Sequence, residues 1–116
     1  ILKSKSQKYE LTFVDIFGYF QELNIPNHNV DPFIRNEKNS HSKDGVHPTE
    51  IGYLLISNQI YKKITHKIKK RTRLICLGDS ITYGVHVQGE GTDTGDTYPA
   101  YLKQILCNST SSQNKN

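Results

Sequence analysis

The sequence predicts an α/β domain with parallel strands, and three observations lead there. Leu74-Ile-Cys-Leu77 is an apolar run that stops at Gly78-Asp79-Ser80, the pattern of a buried strand presenting a serine at its carboxyl edge. Leu11-Thr-Phe-Val-Asp-Ile-Phe17 is rich in β-branched and aromatic residues and almost continuously apolar, as strands covered on both faces are. Between the two, Pro48 to Ile68 carries apolar residues at helical spacing, so strand and helix alternate. In open α/β sheets, ligand sites form outside the carboxyl ends of the strands, where Ser80 would stand.

Composition bounds what such a domain can be. The chain has 116 residues, enough for one small domain; 34% are hydrophobic, and the mean hydropathy is -0.62. No stretch approaches the roughly 18 apolar residues that cross a bilayer, and no signal-peptide pattern is present. Methionine is absent, so Ile1 reads as following a removed leader or as part of a longer chain. Net charge is +4, and seven of the fifteen Lys and Arg lie between Lys62 and Arg73 with no aromatic residue among them. Single-strand nucleic-acid binders interleave aromatic and basic residues, so this run reads as a solvated helix end and linker, with no nucleic-acid partner. Two cysteines allow one disulfide at most, and Cys76 reads as a buried, reduced thiol. Asn108-Ser-Thr110 fits a glycosylation sequon, a triplet common by chance.

Taken in order, Ile1 to Tyr9 is polar and basic and reads as the tail of a helix. The Leu11–Phe17 strand follows, and Gly18 to Leu23 continues as a short helical turn. Asn24 to His47 is a long loop with Pro26, Pro32 and several Asn and Ser. Loops of this length in compact domains are commonly functional. Pro48 suits the first position of a helix, and Glu50 adds negative charge to its first turn. That helix reaches Ile64 or Ile68, with Ile51, Leu54, Leu55, Ile60, Tyr61, Ile64 and Ile68 as its apolar stripe. A glycine-rich loop spans Val85 to Thr97. Tyr98 to Leu106 reads as an amphipathic helix, and Asn108 to Asn116 as a flexible polar tail.

The chemistry sits in two short motifs. In Asp44-x-x-His47, a carboxylate one turn from an imidazole can hold one ring nitrogen and fix the tautomer, leaving the other nitrogen free to accept a proton. In Gly78-Asp79-Ser80, the serine hydroxyl is a weak nucleophile until a base takes its proton, and the turn's backbone N–H groups can face a developing oxyanion. Asp79 reads as a brace for that turn. Thr82 stands where a G-x-S-x-G elbow would place its second glycine, so the motif is not that elbow. Each motif alone is also compatible with an ordinary turn.

Together they resemble one family. Gly78-Asp79-Ser80-Ile81-Thr82 is similar to the first signature block of the SGNH, or GDSL-type, esterases and lipases. Asp44-Gly-Val-His47-Pro-Thr-Glu-Ile-Gly-Tyr53 is similar to the last. An apolar strand before the serine, a Tyr-Pro-containing helix after the next loop, a strand before the Asp-His loop and an amphipathic helix after it agree with this resemblance. It implies a three-layer α/β/α fold and hydrolysis of a small-molecule, carbohydrate or lipid ester. Ser80 would be the nucleophile, His47 the general base and Asp44 its orienting carboxylate. The Ser80 backbone N–H would serve the oxyanion hole, with no metal and no organic cofactor.

The blocks stand in inverted order, and the family's central oxyanion glycine and asparagine motifs are not found. Residues 1–70 match the end of such a domain and 71–116 its beginning. In one account the chain is a seam between tandem domains, and Ser80 and His47 serve different sites. In the other it is permuted, the two parts pack as one unit, and Ser80 meets His47. A helix of the expected length runs roughly 25 to 30 Å from the active edge, and the strand from Leu74 can return to it. In either case a compact chain is expected to bring Ser80 close to His47. His28, His41, His47, Asp31 and Asp44 were weighed as metal ligands, but no tight pair stands on a regular element, so none is assigned. Gly89, Gly91 and Gly95 lack a following Gly-Lys-Ser/Thr and sit beside Glu90, Asp93 and Asp96, so no phosphate loop is assigned either. Tyr83 and Tyr98 flank the serine loop as pocket or core residues.

Overall fold

The computed structural model describes residues 1–69 and 71–112. Among them the chain forms α1 (Leu2–Lys8), α2 (Ile16–Glu22), α3 (Glu37–Ser40), α4 (Glu50–Ile64), a 3-10 turn (Thr65–Lys67), α5 (Ser80–Tyr83) and α6 (Tyr98–Ser112). Its β structure among the described residues is one antiparallel bridge between Ile34 and Pro48. The expected fold of parallel strands in α/β/α layers is therefore overturned: among the described residues the protein is helical, without a sheet.

Both expected strands fail for identifiable reasons. In the first, the Asp15 carboxylate accepts a hydrogen bond from the Gly18 N–H at 2.9 Å, an N-cap that starts α2 at Ile16, inside the apolar run. Leu11 is left 65% exposed and Phe17 73%. In the second, no backbone hydrogen bond from another segment reaches Leu74 to Leu77 among the described residues, and Leu77 is 88% exposed. A parallel strand needs neighbours to take its N–H and C=O groups and helices to cover its faces. Apolar patterning records what such a strand would bury, but the neighbours are not there. The segment is left largely exposed instead, with Leu74, Ile75 and Leu77 exposed and Cys76 only half-buried.

The core lies where α4 meets α6 and the long loop. Thr49 caps α4, its hydroxyl accepting from the Gly52 N–H at 3.3 Å. Pro48 thus precedes the cap instead of opening the helix. The buried face of α4 is Gly52, Tyr53, Ile56 and Ser57; of the apolar stripe read from the sequence, Leu55 and Ile60 pack against this core, while Ile51 is 41% and Leu54 37% exposed. The face is set by small residues as well as large ones. A Cβ on Gly52 would lie 2.1 Å from the Phe33 carbonyl oxygen, so glycine is what lets the loop backbone touch the helix. Opposite, Ala100 and Leu102 of α6 are fully buried or nearly so. The Thr97 hydroxyl accepts from the Ala100 N–H and caps the start of α6. This helix continues to Ser112, so 108–112 of the expected flexible tail are helical. Residues 113–116 of that tail, and Lys70 of the basic run, lie outside the described residues.

The long loop is ordered by its own side chains. Asp31 Oδ1 accepts from the N–H groups of Phe33 and Ile34, and Oδ2 from Asn27. Buried Asn36 caps α3 and donates to the carbonyls of Asp31 and Ile34. Phe20, Ile25, Ile34, Tyr53 and Ile56 close the hydrophobic cluster beneath it.

Gly52→Ala tests this close approach. The added Cβ forces α4 away from Phe33, and the helix propensity of alanine, worth about 1 kcal/mol, offsets only part of an overpacking cost of about 1–3 kcal/mol. A lowered urea midpoint at unchanged m-value is expected; an unchanged or raised midpoint would contradict the packing.

Candidate active site

The site begins with a backbone clamp. The Arg35 N–H donates to the His47 carbonyl at 2.9 Å, the Gly45 N–H to the Arg35 carbonyl at 2.9 Å, and the Thr49 N–H to the Phe33 carbonyl at 2.8 Å. The Thr49 hydroxyl adds a bond to the Pro32 carbonyl at 2.7 Å. The segment from Gly45 to Thr49 is thereby held against 32–35 before α4 begins.

Within it, Asp44 folds back on its own turn. Its Oδ1 accepts from the N–H groups of Val46 at 3.0 Å and His47 at 2.9 Å. Both carboxylate oxygens lie 3.0 Å from His47 Nδ1. Arg35 Nε stands 3.6 Å from Oδ2, and the Asp44 side chain is only 9% exposed. Burial pushes the Asp44 carboxyl up. The His47 and Val46 N–H groups and the His47 ring outweigh it and hold the pKa below the ordinary value. Asp44 is therefore a carboxylate at neutral pH and can only accept. Nδ1 of a neutral His47 ring must then donate to it, and Nε2 is left as an acceptor.

Ser80 comes from the other part of the chain. The Asp79 carboxylate accepts from the Ile81 N–H at 3.0 Å and caps α5, the bracing role expected of it. Gly84 ends α5 in the left-handed region, φ 83°. Ser80 is the first residue of this one-turn helix, not the end of a strand. Its Oγ lies 3.1 Å from His47 Nε2. The inverted order of the motifs does not keep the two residues apart, and Ser80, His47 and Asp44 form one continuous hydrogen-bonded chain. The Ser80 N–H donates to no acceptor among the described residues.

Three neighbours, His86, Glu90 and Arg35, belong to neither motif, and Tyr53, the last residue of the Asp-His block, joins them. His86 Nε2 lies 3.9 Å from Asp44 Oδ2, and its ring meets the His47 ring edge to face at 5.3 Å between centroids. Glu90 holds His86 in place, accepting from its N–H at 2.7 Å. Arg35 was hidden in the long loop. Tyr53 is fully buried, and its hydroxyl has no hydrogen-bond partner among the described residues. That hydroxyl is pushed up to about 12 by burial, then by the charges of Asp79, Asp44 and Glu90, with Arg35 opposing. Only the two-residue spacing of Asp44 and His47 was a local signal; the other contacts depend on how the chain folds back.

Of the residues weighed as metal ligands, His28 pairs with Glu37 at 3.5 Å and Asp31 serves the loop backbone. The set with ligand atoms grouped together is instead Asp44, His47 and His86. An open cavity of about 870 Å³ adjoins the serine turn, with Leu77, Gly78, Asp79, Tyr83 and Leu106 among its lining residues. Neither Ser80 nor His47 lines it. Tyr98 instead shares a hydrogen bond of 3.1 Å with Thr82. Among the described residues no helix is long and apolar enough to cross a membrane. Comparisons of the chain with family models, with curated proteins and with solved structures found no match.

The depressed pKa of Asp44 makes a signed prediction. A group whose carboxylate form is favoured by folding adds stability above its unfolded pKa, near 3.8, and that stability is lost as pH falls through the lower folded value. The stability advantage of the native chain over Asp44→Asn should therefore shrink as pH falls below about 5. Urea midpoints measured over that range check it; a pH-independent difference would contradict the assignment.

Proposed function

We propose that this chain is a serine ester hydrolase of the SGNH, or GDSL, type, in whole or in part, with Ser80, His47 and Asp44 as its working residues. One observation carries the reading: Ser80 Oγ stands 3.1 Å from His47 Nε2 while Nδ1 of the same ring stands 3.0 Å from both Asp44 oxygens. Nucleophile, base and orienting acid each have the partner that their chemistry requires.

The steps follow from those contacts. Ser80 Oγ attacks the carbonyl carbon of an ester, and its proton passes to His47 Nε2. The imidazolium so formed is stabilised by the Asp44 carboxylate. The tetrahedral oxyanion falls near the Ser80 N–H, which has no other acceptor. His47 then gives its proton to the departing alcohol, leaving an acyl-enzyme. A water, deprotonated by His47, releases the acid and restores Ser80. Every proton transfer is served by these side chains. The ester belongs to a small molecule, a carbohydrate or a lipid.

A second reading is a catalytically incomplete relative that binds or links. It is favoured by the missing glycine and asparagine motifs, which leave one identified oxyanion donor, and by the uncovered Leu74 to Leu77 segment.

A fluorophosphonate probe separates the two. The hydrolase reading expects covalent labelling of the chain, its loss in Ser80→Ala, and labelling slowed by about 10⁴-fold in Asp44→Asn, the effect of replacing an orienting carboxylate by its amide. Absent labelling, or labelling that survives Ser80→Ala, would sink it.

A further inference from the structure

We propose that Asp44, His47 and His86 form a binding site for a divalent transition-metal ion of the zinc type, and that an ion held there switches off the Ser80–His47 pair. The binding rests on the geometry alone; the switching rests on the hydrolase reading above.

The donor set is the one such an ion takes: two imidazoles and a carboxylate. One ligand atom of each residue lies within 4.8 Å of the others. Asp44 Oδ2 is 3.0 Å from His47 Nδ1 and 3.9 Å from His86 Nε2. Metal bonds of about 2.0–2.1 Å to nitrogen and oxygen imply ligand separations of about 3.3 Å around a tetrahedral ion. The two observed distances straddle that figure, so a small rotation of the exposed His86 ring closes the set. Its ring is 89° from that of His47, so the two imidazoles do not stack and each can turn an edge toward a shared point.

The surroundings favour a cation. Asp44, Asp79 and Glu90 all lie close enough to act on the Tyr53 hydroxyl, against Arg35 alone among the cations acting there. His86 is also supported from behind, where Glu90 accepts its backbone N–H.

Loss of the base follows from the proton inventory of the ring. If the ion takes His47 Nδ1, the neutral imidazole must carry its proton on Nε2 and can only donate toward Ser80 Oγ. His47 then cannot accept the serine proton. No bond to substrate and no redox change is involved, and the ion is displaced by a chelator.

His86 has φ 74°, a left-handed conformation that asparagine tolerates, so His86→Asn removes the imidazole with little backbone strain. Calorimetric titration of the 116-residue chain with Zn²⁺ should find one dominant site. His86→Asn should weaken it by at least about tenfold, the loss that even outer-shell partners of a metal produce. Ser80→Ala should bind Zn²⁺ as the native chain does, because the serine is outside the ligand set. In the native chain Zn²⁺ should suppress fluorophosphonate labelling and EDTA restore it. Equal Zn²⁺ affinity in the native chain and His86→Asn would overturn the site and assign uptake to scattered histidines such as His28, His41 and His66. A site lost in His86→Asn from a chain that the probe never labels would uphold the metal site and refute the hydrolase reading instead.

Discussion

The Asp44 carboxylate is the interaction on which the site depends. Two oxygens on a side chain 9% exposed serve the N–H groups of Val46 and His47 and the Nδ1 of His47, with the Arg35 and His86 side chains beside them. Removing that acceptor would leave the Val46 and His47 N–H groups and the His47 ring without their shared partner. It would also free the imidazole to rotate and to change tautomer. The same group therefore shapes the turn, orients the ring and selects which nitrogen faces Ser80. Its neighbours hold it ionised, which is what makes the selection one-sided.

The clamp behind Asp44 explains how a site forms without a sheet. In a layered α/β domain, strand ends would hold the serine and the histidine in register. Here three backbone bonds between 33–35 and 45–49 fix the histidine side. The packing of α4 on α6 brings the second part of the chain to it. Tyr53, Ile56 and Ser57 are buried on one helix and Ala100 and Leu102 on the other, and Thr97 sits buried at the turn that feeds α6. The serine is delivered by a one-turn helix braced by Asp79 and stopped by Gly84. Short-range hydrogen bonds do locally what a sheet would do globally. The cost is visible in Leu74 to Leu77, whose apolar side chains and backbone stay largely in water.

The site was more legible in the sequence than the fold was. Asp44 and His47 are three apart at a helix start, so their contact is a local matter of turn geometry. Ser80 could be placed near them because a helix and a return segment of suitable length lie between. The strands were misread because periodicity reports only local preference. Leu11 to Phe17 contains the cap residue Asp15, whose hydrogen bond to Gly18 competes with the apolar run. Leu74 to Leu77 has strand character but no backbone partner among the described residues. The buried stripe of α4 was misread because Gly52 and Ser57, chosen for closeness instead of hydrophobicity, give no apolar signal. His86, Arg35 and Glu90 were invisible because nothing in their spacing ties them to Asp44; only the folded loop does.

The central claim is that Asp44 fixes His47 so that Nε2 faces Ser80 as an acceptor. Long-range ¹H–¹⁵N correlation of the histidine rings, recorded with the imidazole neutral, reads this directly. The account predicts a protonated Nδ1 and an unprotonated Nε2 for His47, with the two forms mixing once Asp44 is replaced by asparagine. A His47 ring protonated on Nε2 in the native chain, or averaging freely between tautomers, would contradict it.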